Sequence, residues 1–282
     1  MDPTSLTANP YEQLYIYYLS GTPDAIPAEL HSMGFIGNWE EEGFSFLFFS
    51  SPVDYEVEQL VKASDGLTLV DSYQMTCDEW HGDAIESYTS GSLCISPPWK
   101  IPFVNKAGIK HILLDPGVVF GTGRHPTTEV CLHYIEHLCA NEKIETVLDI
   151  GTGTGLLAMG AAALGCQRVL ALDFNLLAVK TTLNNVRINS FEGQILPIQA
   201  KAQDYMGIDA DLVVANIHYD VMKDLIDDPG FLAKPWFILS GLLRSEAEKV
   251  LASLKKSGAL VLETTCPDGV WTTIFGKGIS RD

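Results

Sequence analysis

The sequence is poor in basic residues and has no long apolar run. Its 18 Lys and Arg residues are outnumbered by 36 Asp and Glu residues, which gives a formal net charge of −18 at pH 7. A nucleic-acid backbone binds basic surfaces, so this balance argues against direct nucleic-acid binding and fits a basic protein partner. The most apolar stretch, Phe44–Phe49, is too short to cross a bilayer, so no membrane partner is expected.

Paired cysteines are also missing. The six cysteines, at positions 77, 94, 131, 139, 166 and 266, form no C-x-x-C pair and no metal-type spacing. This pattern predicts reduced thiols in a cytoplasmic protein without a metal site. Residues 1–7 show no basic region followed by an apolar one, so no secretory signal is predicted.

What the sequence does contain is centred on residues 145–155, Glu-Thr-Val-Leu-Asp-Ile-Gly-Thr-Gly-Thr-Gly. An apolar run precedes the glycines, an alanine-rich stretch follows them, and a second apolar run ends at Asp173. The order predicts strand, glycine turn, helix, strand and acid, the nucleotide-binding half of a doubly wound α/β domain. An acid at the end of the second strand can accept hydrogen bonds from two ribose hydroxyls.

The glycine spacing narrows the class of ligand. A dinucleotide site uses G-x-G-x-x-G, whereas Leu156 stands where its third glycine would be. The D-x-G-x-G-x-G form, beginning at Asp149, is the one used by Rossmann-like methyltransferases that bind S-adenosylmethionine. We therefore expect Gly151, Thr152, Gly153 and Gly155 to line a site for S-adenosyl-L-methionine, and we disfavour an NAD dehydrogenase.

The first 75 residues predict a separate small domain. Strands are expected at 11–19, 35–40, 44–50 and 67–75, with helices at 25–33 and 54–63. This order is the split βαβ arrangement of a ferredoxin-like fold. We expect a substrate-recognition domain over 1–75 and a polar, partly helical linker over 76–92.

The remaining residues, 93–282, are expected to form the catalytic domain. Strands predicted at 168–172, 195–199, 212–217 and 237–242 alternate with helices at 175–189, 220–227 and 245–257, and a pair at 259–264 and 270–275 closes the domain. The fold class is therefore α/β, a Rossmann-like domain with a seven-stranded, mostly parallel sheet. Residues 120–128 give a glycine-rich loop before a helix, and its Thr122 is expected to line the other wall of the cleft.

Several motifs together resemble one family. They are Leu-Asp-Pro-Gly at 114–117, Phe-Gly-Thr-Gly-Arg-His-Pro-Thr-Thr at 120–128, Leu-Asp-Ile-Gly-Thr-Gly-Thr-Gly at 148–155, Val-Ala-Asn-Ile at 214–217 and Leu-Ser-Gly-Leu-Leu at 239–243. The chain resembles the bacterial PrmA methyltransferases, which methylate protein eleven of the large ribosomal subunit. The resemblance covers nearly the whole chain, including the small domain and linker, and it implies an S-adenosylmethionine-dependent N-methyltransferase that acts on lysine or N-terminal amines.

The resemblance also implies roles for individual residues. Thr128, Gly151, Asp173 and Asn216 stand where the family contacts its cofactor. Asn216, at the end of a strand, would face the transferring methyl group as the catalytic residue, and Phe174 would pack on the adenine. His125 and His218 are weaker candidates for a proton acceptor.

Two departures from the family pattern lie where a substrate would be chosen. The linker reads Tyr-Thr-Ser-Gly at 88–91 instead of a basic residue and proline before the glycine, and His218-Tyr219 follows the Asn-Ile pair. A methyltransferase of another protein or of a small molecule therefore stays open as an alternative. A binding module that has lost turnover is a second alternative, although the retained glycines, acid and asparagine argue against it.

A third alternative is a zinc hydrolase. His133, Glu136 and His137 match H-x-x-E-H, a zinc-peptidase pattern in which two histidines lie one helical turn apart. No third ligand can be identified in the sequence, and the motif borders the apolar face of a predicted helix, so we expect no metal here.

Overall fold

A computed structural model describes residues 9–82, 84–100 and 107–279. Within these residues the chain forms a four-stranded sheet, a three-stranded sheet and a seven-stranded sheet. The first eight residues of the predicted small domain and the last three of the predicted catalytic domain lie outside the described residues. None of the described helices is long and apolar enough to cross a membrane.

The four-stranded sheet contains the N-terminal strands in the order β2-β3-β1-β4, and each neighbouring pair is antiparallel. Its elements are β1 (Gln13–Ser20), α1 (Ala28–Ser32), β2 (Phe35–Glu41), β3 (Phe44–Phe49), α2 (Asp54–Ala63) and β4 (Thr68–Thr76). The predicted ferredoxin-like arrangement is confirmed. The first helix begins later than predicted because Pro27 disfavours helical geometry at the residue before it.

Both faces of this small sheet carry buried apolar side chains. Side chains alternate along a strand, so Tyr17 and Leu19 of β1 face the helices, whereas Leu14 and Ile16 face the opposite way. The second set packs with Val118, Val119, Leu177 and Ala178 of the following part of the chain. The small sheet is therefore fixed to the larger unit by an apolar interface.

The predicted linker carries more regular structure than the sequence indicates. The helix α3 (Cys77–His81) starts with a capping box in which Thr76 and Glu79 exchange hydrogen bonds. The strands β5 (Tyr88–Ser90), β6 (Leu93–Ser96) and β7 (Lys110–Leu113) then form the three-stranded sheet in that order. The domain boundaries at 75 and 92 stay predictions.

The seven-stranded sheet has the order β10-β9-β8-β11-β12-β14-β13. The strand β14 is antiparallel to both of its neighbours, β12 and β13, and the other neighbouring pairs are parallel. Its elements are α4 (Pro126–Asn141), β8 (Thr146–Ile150), α5 (Leu156–Leu164), β9 (Arg168–Asp173), α6 (Leu176–Ile188), β10 (Ile195–Gln199), β11 (Leu212–Asn216), α7 (Tyr219–Leu225), α8 (Pro229–Leu232), β12 (Trp236–Leu243), α9 (Arg244–Ser257), β13 (Leu260–Thr265) and β14 (Trp271–Lys277). The predicted fold class is confirmed. The order of the strands reverses between β8 and β11, and ligands of such folds bind at this switch point.

Helices cover both faces of this sheet. Two separate apolar layers form, one with α4 and α5 and the other with α7 and α9. The helix α5 is nearly all Leu, Ala and Gly, and its Gly160 lies directly against the Leu132 side chain of α4. This close packing fixes the two helices whose first turns lie beside the switch point.

Candidate active site

The glycine turn after β8 lies at the switch point. Gly151, Gly153 and Gly155 have φ angles of 69°, 56° and 85°, which other residues rarely adopt. A Cβ on Gly151 would clash with Ile217, and one on Gly153 would lie 2.8 Å from the carbonyl oxygen of Phe120. The turn therefore needs glycine both for its backbone geometry and for the close approach of its neighbours.

Asp173 is brought directly to this turn. Its carboxylate accepts hydrogen bonds from the backbone N–H groups of Gly153 (3.0 Å) and Asn175 (2.9 Å). Burial raises the pKa of the Asp173 carboxyl, and these amide hydrogen bonds oppose the rise. Each carboxylate oxygen keeps a lone pair for a further donor, so the geometry fits a ligand with two neighbouring hydroxyl groups.

Asp149 lies beneath the turn with a 1% exposed side chain. Its Oδ2 accepts a hydrogen bond from the Thr152 hydroxyl at 2.6 Å, while Oδ1 has no hydrogen-bond partner among the described residues. Burial raises the pKa of Asp149 to about 7, and the nearby Asp173 charge adds to the rise. A buried acceptor without a partner fits a site that binds a cationic group.

A second loop closes over the glycine turn from the α4 side. The Thr154 hydroxyl donates to the carbonyl oxygen of Gly121 at 2.8 Å, and the Tyr88 hydroxyl donates to that of Thr122 at 3.5 Å. These bonds place the predicted Thr122 beside the turn. The Phe120 ring at the loop tip is exposed.

Asn216 ends β11 on the other side of the switch point. Its Nδ2 donates to the Thr127 hydroxyl at 3.0 Å, and that hydroxyl is 2.7 Å from Nδ1 of His125. Thr128 is buried one residue further along α4, and its N–H donates to the His125 carbonyl at 2.9 Å. The side-chain partner of Asn216 in this structure is thus Thr127, which the sequence analysis did not select although it lies within the quoted 120–128 motif.

Two further residues shape the surroundings of Asn216 and were also missed. Gly241 has a φ of 83°, and a Cβ there would lie 3.1 Å from Oδ1 of Asn216. The His125 ring lies against Trp271, with ring centroids 5.3 Å apart. Gly241 belongs to the quoted 239–243 motif, which was the available signal, whereas nothing in the sequence points to Trp271.

Phe174 lies on the rim of a large cavity. The cavity has a volume of about 930 Å³, and residues of both the N-terminal part of the chain and α6 line it. The Phe174 ring is 56% exposed, and the side-chain amide of Gln199, on the same rim, donates to the Phe174 carbonyl at 3.1 Å. The exposed ring fits the predicted stacking role, which stays a prediction.

The H-x-x-E-H residues have a different role. Oε1 of Glu136 accepts a hydrogen bond from the backbone N–H of Ser92 at 2.9 Å, and Gly91 packs against the same carboxylate. Within residues 9–82, 84–100 and 107–279, no group of three or more His, Cys, Asp and Glu could hold a metal ion. Glu136 fixes the turn between β5 and β6.

Comparisons with known proteins agree with this geometry. A family model described as ribosomal protein L11 methyltransferase (PrmA) matches residues 56–278. The chain belongs to this family. The resemblance inferred from the motifs is thereby confirmed.

Individual family members cover much of the chain. A ribosomal protein L11 methyltransferase of Lactococcus lactis subsp. lactis (strain IL1403) is 37% identical over 196 residues, which cover 67% of this chain and 60% of that relative. One from Streptococcus pneumoniae (strain JJA) is 35% identical over 202 residues, which cover 71% of this chain and 63% of that relative. The matched stretch thus spans less than two thirds of either relative's length.

A solved structure extends the family match to three dimensions. The crystal structure of a ribosomal protein L11 methylase from Lactobacillus delbrueckii subsp. bulgaricus superimposes with a TM-score of 0.62 at 27% identity. The match covers 69% of this chain and 100% of that one. The fold of that methylase is therefore shared over about two thirds of this chain.

Proposed function

We propose that the protein transfers methyl groups from S-adenosyl-L-methionine to lysine or N-terminal amines of ribosomal protein L11. The observation that carries the proposal is the meeting of Asp173 with the glycine turn at the switch point, in a chain of the L11 methyltransferase family. Both the family and the geometry support this activity, and its cytoplasmic location is part of the proposal.

The residues of the site fit this cofactor. Asp173 would accept hydrogen bonds from the ribose hydroxyls, and the exposed Phe174 ring would pack on the adenine. The turn over Gly151–Gly155 would pass the methionine portion, and the buried Asp149 carboxylate would face its ammonium group. Thr122, Thr152 and Thr128 would form the walls on either side.

When bound, S-adenosylmethionine supplies a sulfonium methyl group that a lone pair can attack. The protein's task is then alignment and exclusion of water, and positioning alone can supply roughly 7–11 kcal/mol of the barrier. Asn216 would accept a hydrogen bond from the attacking amine through Oδ1 and so direct the lone pair toward the methyl group. Because a lysine has an ordinary pKa of about 10.4, the site must take up the amine in its neutral form.

The charge of the chain supports a basic substrate. A net charge of −18 attracts a basic protein and accelerates its encounter with the site at low salt. The partner of the small ferredoxin-like sheet would be ribosomal protein L11 itself, and no direct nucleic-acid or membrane partner is included in the proposal.

The proposal is tested with the purified full chain, methyl-labelled S-adenosylmethionine and purified ribosomal protein L11. We expect label on the L11 protein, located by mass spectrometry on lysine or terminal amines, and calorimetric binding of S-adenosylmethionine and S-adenosylhomocysteine. The variant Asp173→Ala should keep its fold and bind both at least about tenfold more weakly. Label on another protein, or only on small molecules, would show that ribosomal protein L11 is not the substrate. Binding of NAD instead of S-adenosylmethionine would refute the proposed methyltransferase activity.

A further inference from the structure

The hydrogen bonds around Asn216 form a short chain that ends in a titratable ring. Nδ2 of Asn216 lies 3.0 Å from the Thr127 hydroxyl, which lies 2.7 Å from Nδ1 of His125. The Thr127 N–H also points to Nδ1, at 3.4 Å, because His125 caps the start of α4. Thr127 is only 3% exposed, so water does not compete freely for its hydroxyl.

We propose that Thr127 and His125 are positioning residues that hold the Asn216 amide with its oxygen toward the substrate amine. This inference rests on the proposed function, since the amine is the group that Asn216 Oδ1 would orient. An amide has one accepting and one donating end, and only the accepting end can bind an amine N–H while its lone pair attacks. The orientation of this one amide therefore decides whether the site is productive.

The count of protons fixes the orientation. As the cap of α4, Nδ1 of His125 accepts from the Thr127 N–H, so it is unprotonated and the proton of the neutral ring is on Nε2. Nδ1 therefore also accepts from the Thr127 hydroxyl, whose single proton is then used, so this hydroxyl accepts from Asn216. With this arrangement Nδ2 of Asn216 is held against Thr127, and Oδ1 lies on the side of Gly241.

Protonation of His125 removes this constraint on the hydrogen bonds. Nδ1 would then donate to the Thr127 hydroxyl, whose own proton becomes free to go to Oδ1 of Asn216, and the amide could then turn its NH₂ group toward the substrate. Burial lowers the pKa of His125, and the Asp268 carboxylate in the turn between β13 and β14 opposes this effect. The Phe120 and Trp271 rings that also contact the imidazole carry no charge. The productive orientation of the Asn216 amide is therefore favoured at neutral and higher pH.

Helix capping alone does not account for this series of hydrogen bonds. A cap needs His125 to accept from the Thr127 N–H, which is satisfied without any contact to Asn216. The Thr127 hydroxyl adds a link from α4 to the end of β11, across the switch point of the sheet. Removing the hydroxyl alone keeps the cap but breaks the link to Asn216. This change therefore distinguishes a purely structural role of His125 and Thr127 from a positioning role.

Three variants test the inference. Thr127→Val keeps the branched shape and removes the hydroxyl, Thr127→Ser restores a hydroxyl, and His125→Asn keeps an acceptor near the Nδ1 position without titrating. We expect Thr127→Val to lower kcat by about tenfold or more while S-adenosylhomocysteine binding stays within about twofold. Thr127→Ser should recover most of that loss, and His125→Asn should remove the His125 step from the acid limb of the pH–kcat profile, leaving the step that belongs to the substrate amine. Equal kcat for the Val and Ser variants, or a pH–kcat profile that His125→Asn leaves unchanged, would overturn the inference.

A second measurement does not depend on activity. Nitrogen-15 NMR of the full chain should show His125 protonated on Nε2 at neutral pH, and Thr127→Val should shift this tautomer preference. A wild-type ring protonated on Nδ1 would refute the positioning pair whatever the substrate. Conversely, the expected tautomer in a protein that fails to methylate ribosomal protein L11 would leave the pair standing and refute only the proposed substrate.

Discussion

Replacing Asp149 with asparagine is expected to remove a pH-dependent loss of stability from the ligand-free protein. The Asp149 carboxyl is almost fully buried, and burial raises its pKa to about 7 from the ordinary 3.8. The folded protein therefore keeps this proton at pH values where the unfolded chain has released it. A raised pKa of this kind stabilises the fold at low pH, and the stabilisation disappears as the pH rises toward 7.

The size of the effect follows from the two pKa values. One unit of pKa difference corresponds to about 1.4 kcal/mol, so between pH 5 and pH 8 the wild type should lose about 2–3 kcal/mol of unfolding free energy relative to Asp149→Asn. The neutral amide can still accept the Thr152 hydroxyl hydrogen bond, so the variant keeps the local contact. Comparing the two proteins at each pH cancels the contributions of groups that do not interact with Asp149, among them the half-buried His81.

The assay is urea unfolding of both proteins at pH 5, 6, 7 and 8 at constant ionic strength, without ligand. The difference in unfolding free energy should change steadily from pH 5 to pH 7 and then level off. A difference that stays constant over this range would show that Asp149 titrates at its ordinary pKa. A wild type that gains stability relative to the variant as the pH rises would reverse the sign and refute the reasoning.

Two other substitutions test the turn and the contact between the sheets. Gly153→Ala should lower the free energy of unfolding by about 1–2 kcal/mol, because the φ of Gly153 is 56°. The added Cβ would also crowd the neighbouring loop, so we expect calorimetry to show weaker binding of S-adenosylhomocysteine. Gly193→Ala is the matched control, since a Cβ there meets nothing within 4 Å, and equal behaviour of the two variants would contradict the prediction. Asn175→Ser should keep the cap of α6 but lose the 3.2 Å hydrogen bond from Nδ2 to the Glu40 carbonyl, so hydrogen exchange in Phe35–Glu41 should accelerate. Unchanged exchange there would show that the bond does not hold the small sheet.

Elements whose pattern is local could be predicted from the sequence. The predicted bounds of the strand at 195–199 and of the helix at 54–63 agree with the observed ones, because apolar periodicity and turn residues mark them directly. The late start of α1 follows from Pro27, a local rule that the helix prediction overlooked. The strand Tyr88–Ser90 was missed because its polar sequence becomes a strand only by pairing with β6.

The candidate site also contains some contacts that the sequence predicts and others that it does not. The juxtaposition of Asp173 with Gly153 could be predicted, because consecutive parallel strands end at the same edge of the sheet. The bond between Thr127 and Asn216 could not, since it joins residues far apart in the chain and depends on how α4 is rotated over the sheet. Trp271 reaches His125 from the terminal hairpin, and no sequence pattern encodes that contact.

The turn from Asp173 to Leu177 connects the two parts of the molecule. Asp173 accepts from the glycine turn, Asn175 donates to the carbonyl of Glu40, and the Leu177 side chain packs directly against Gly37 of the small sheet. A Cβ at position 37 would clash with that leucine, so α6 and the small sheet approach each other as closely as a glycine permits. The short segment that carries Asp173, the candidate ribose-binding residue, therefore also contacts the small sheet through Asn175 and Leu177. We expect a change in the docking of the small sheet to affect Asp173 more than Asn216, which lies across the switch point at the end of β11.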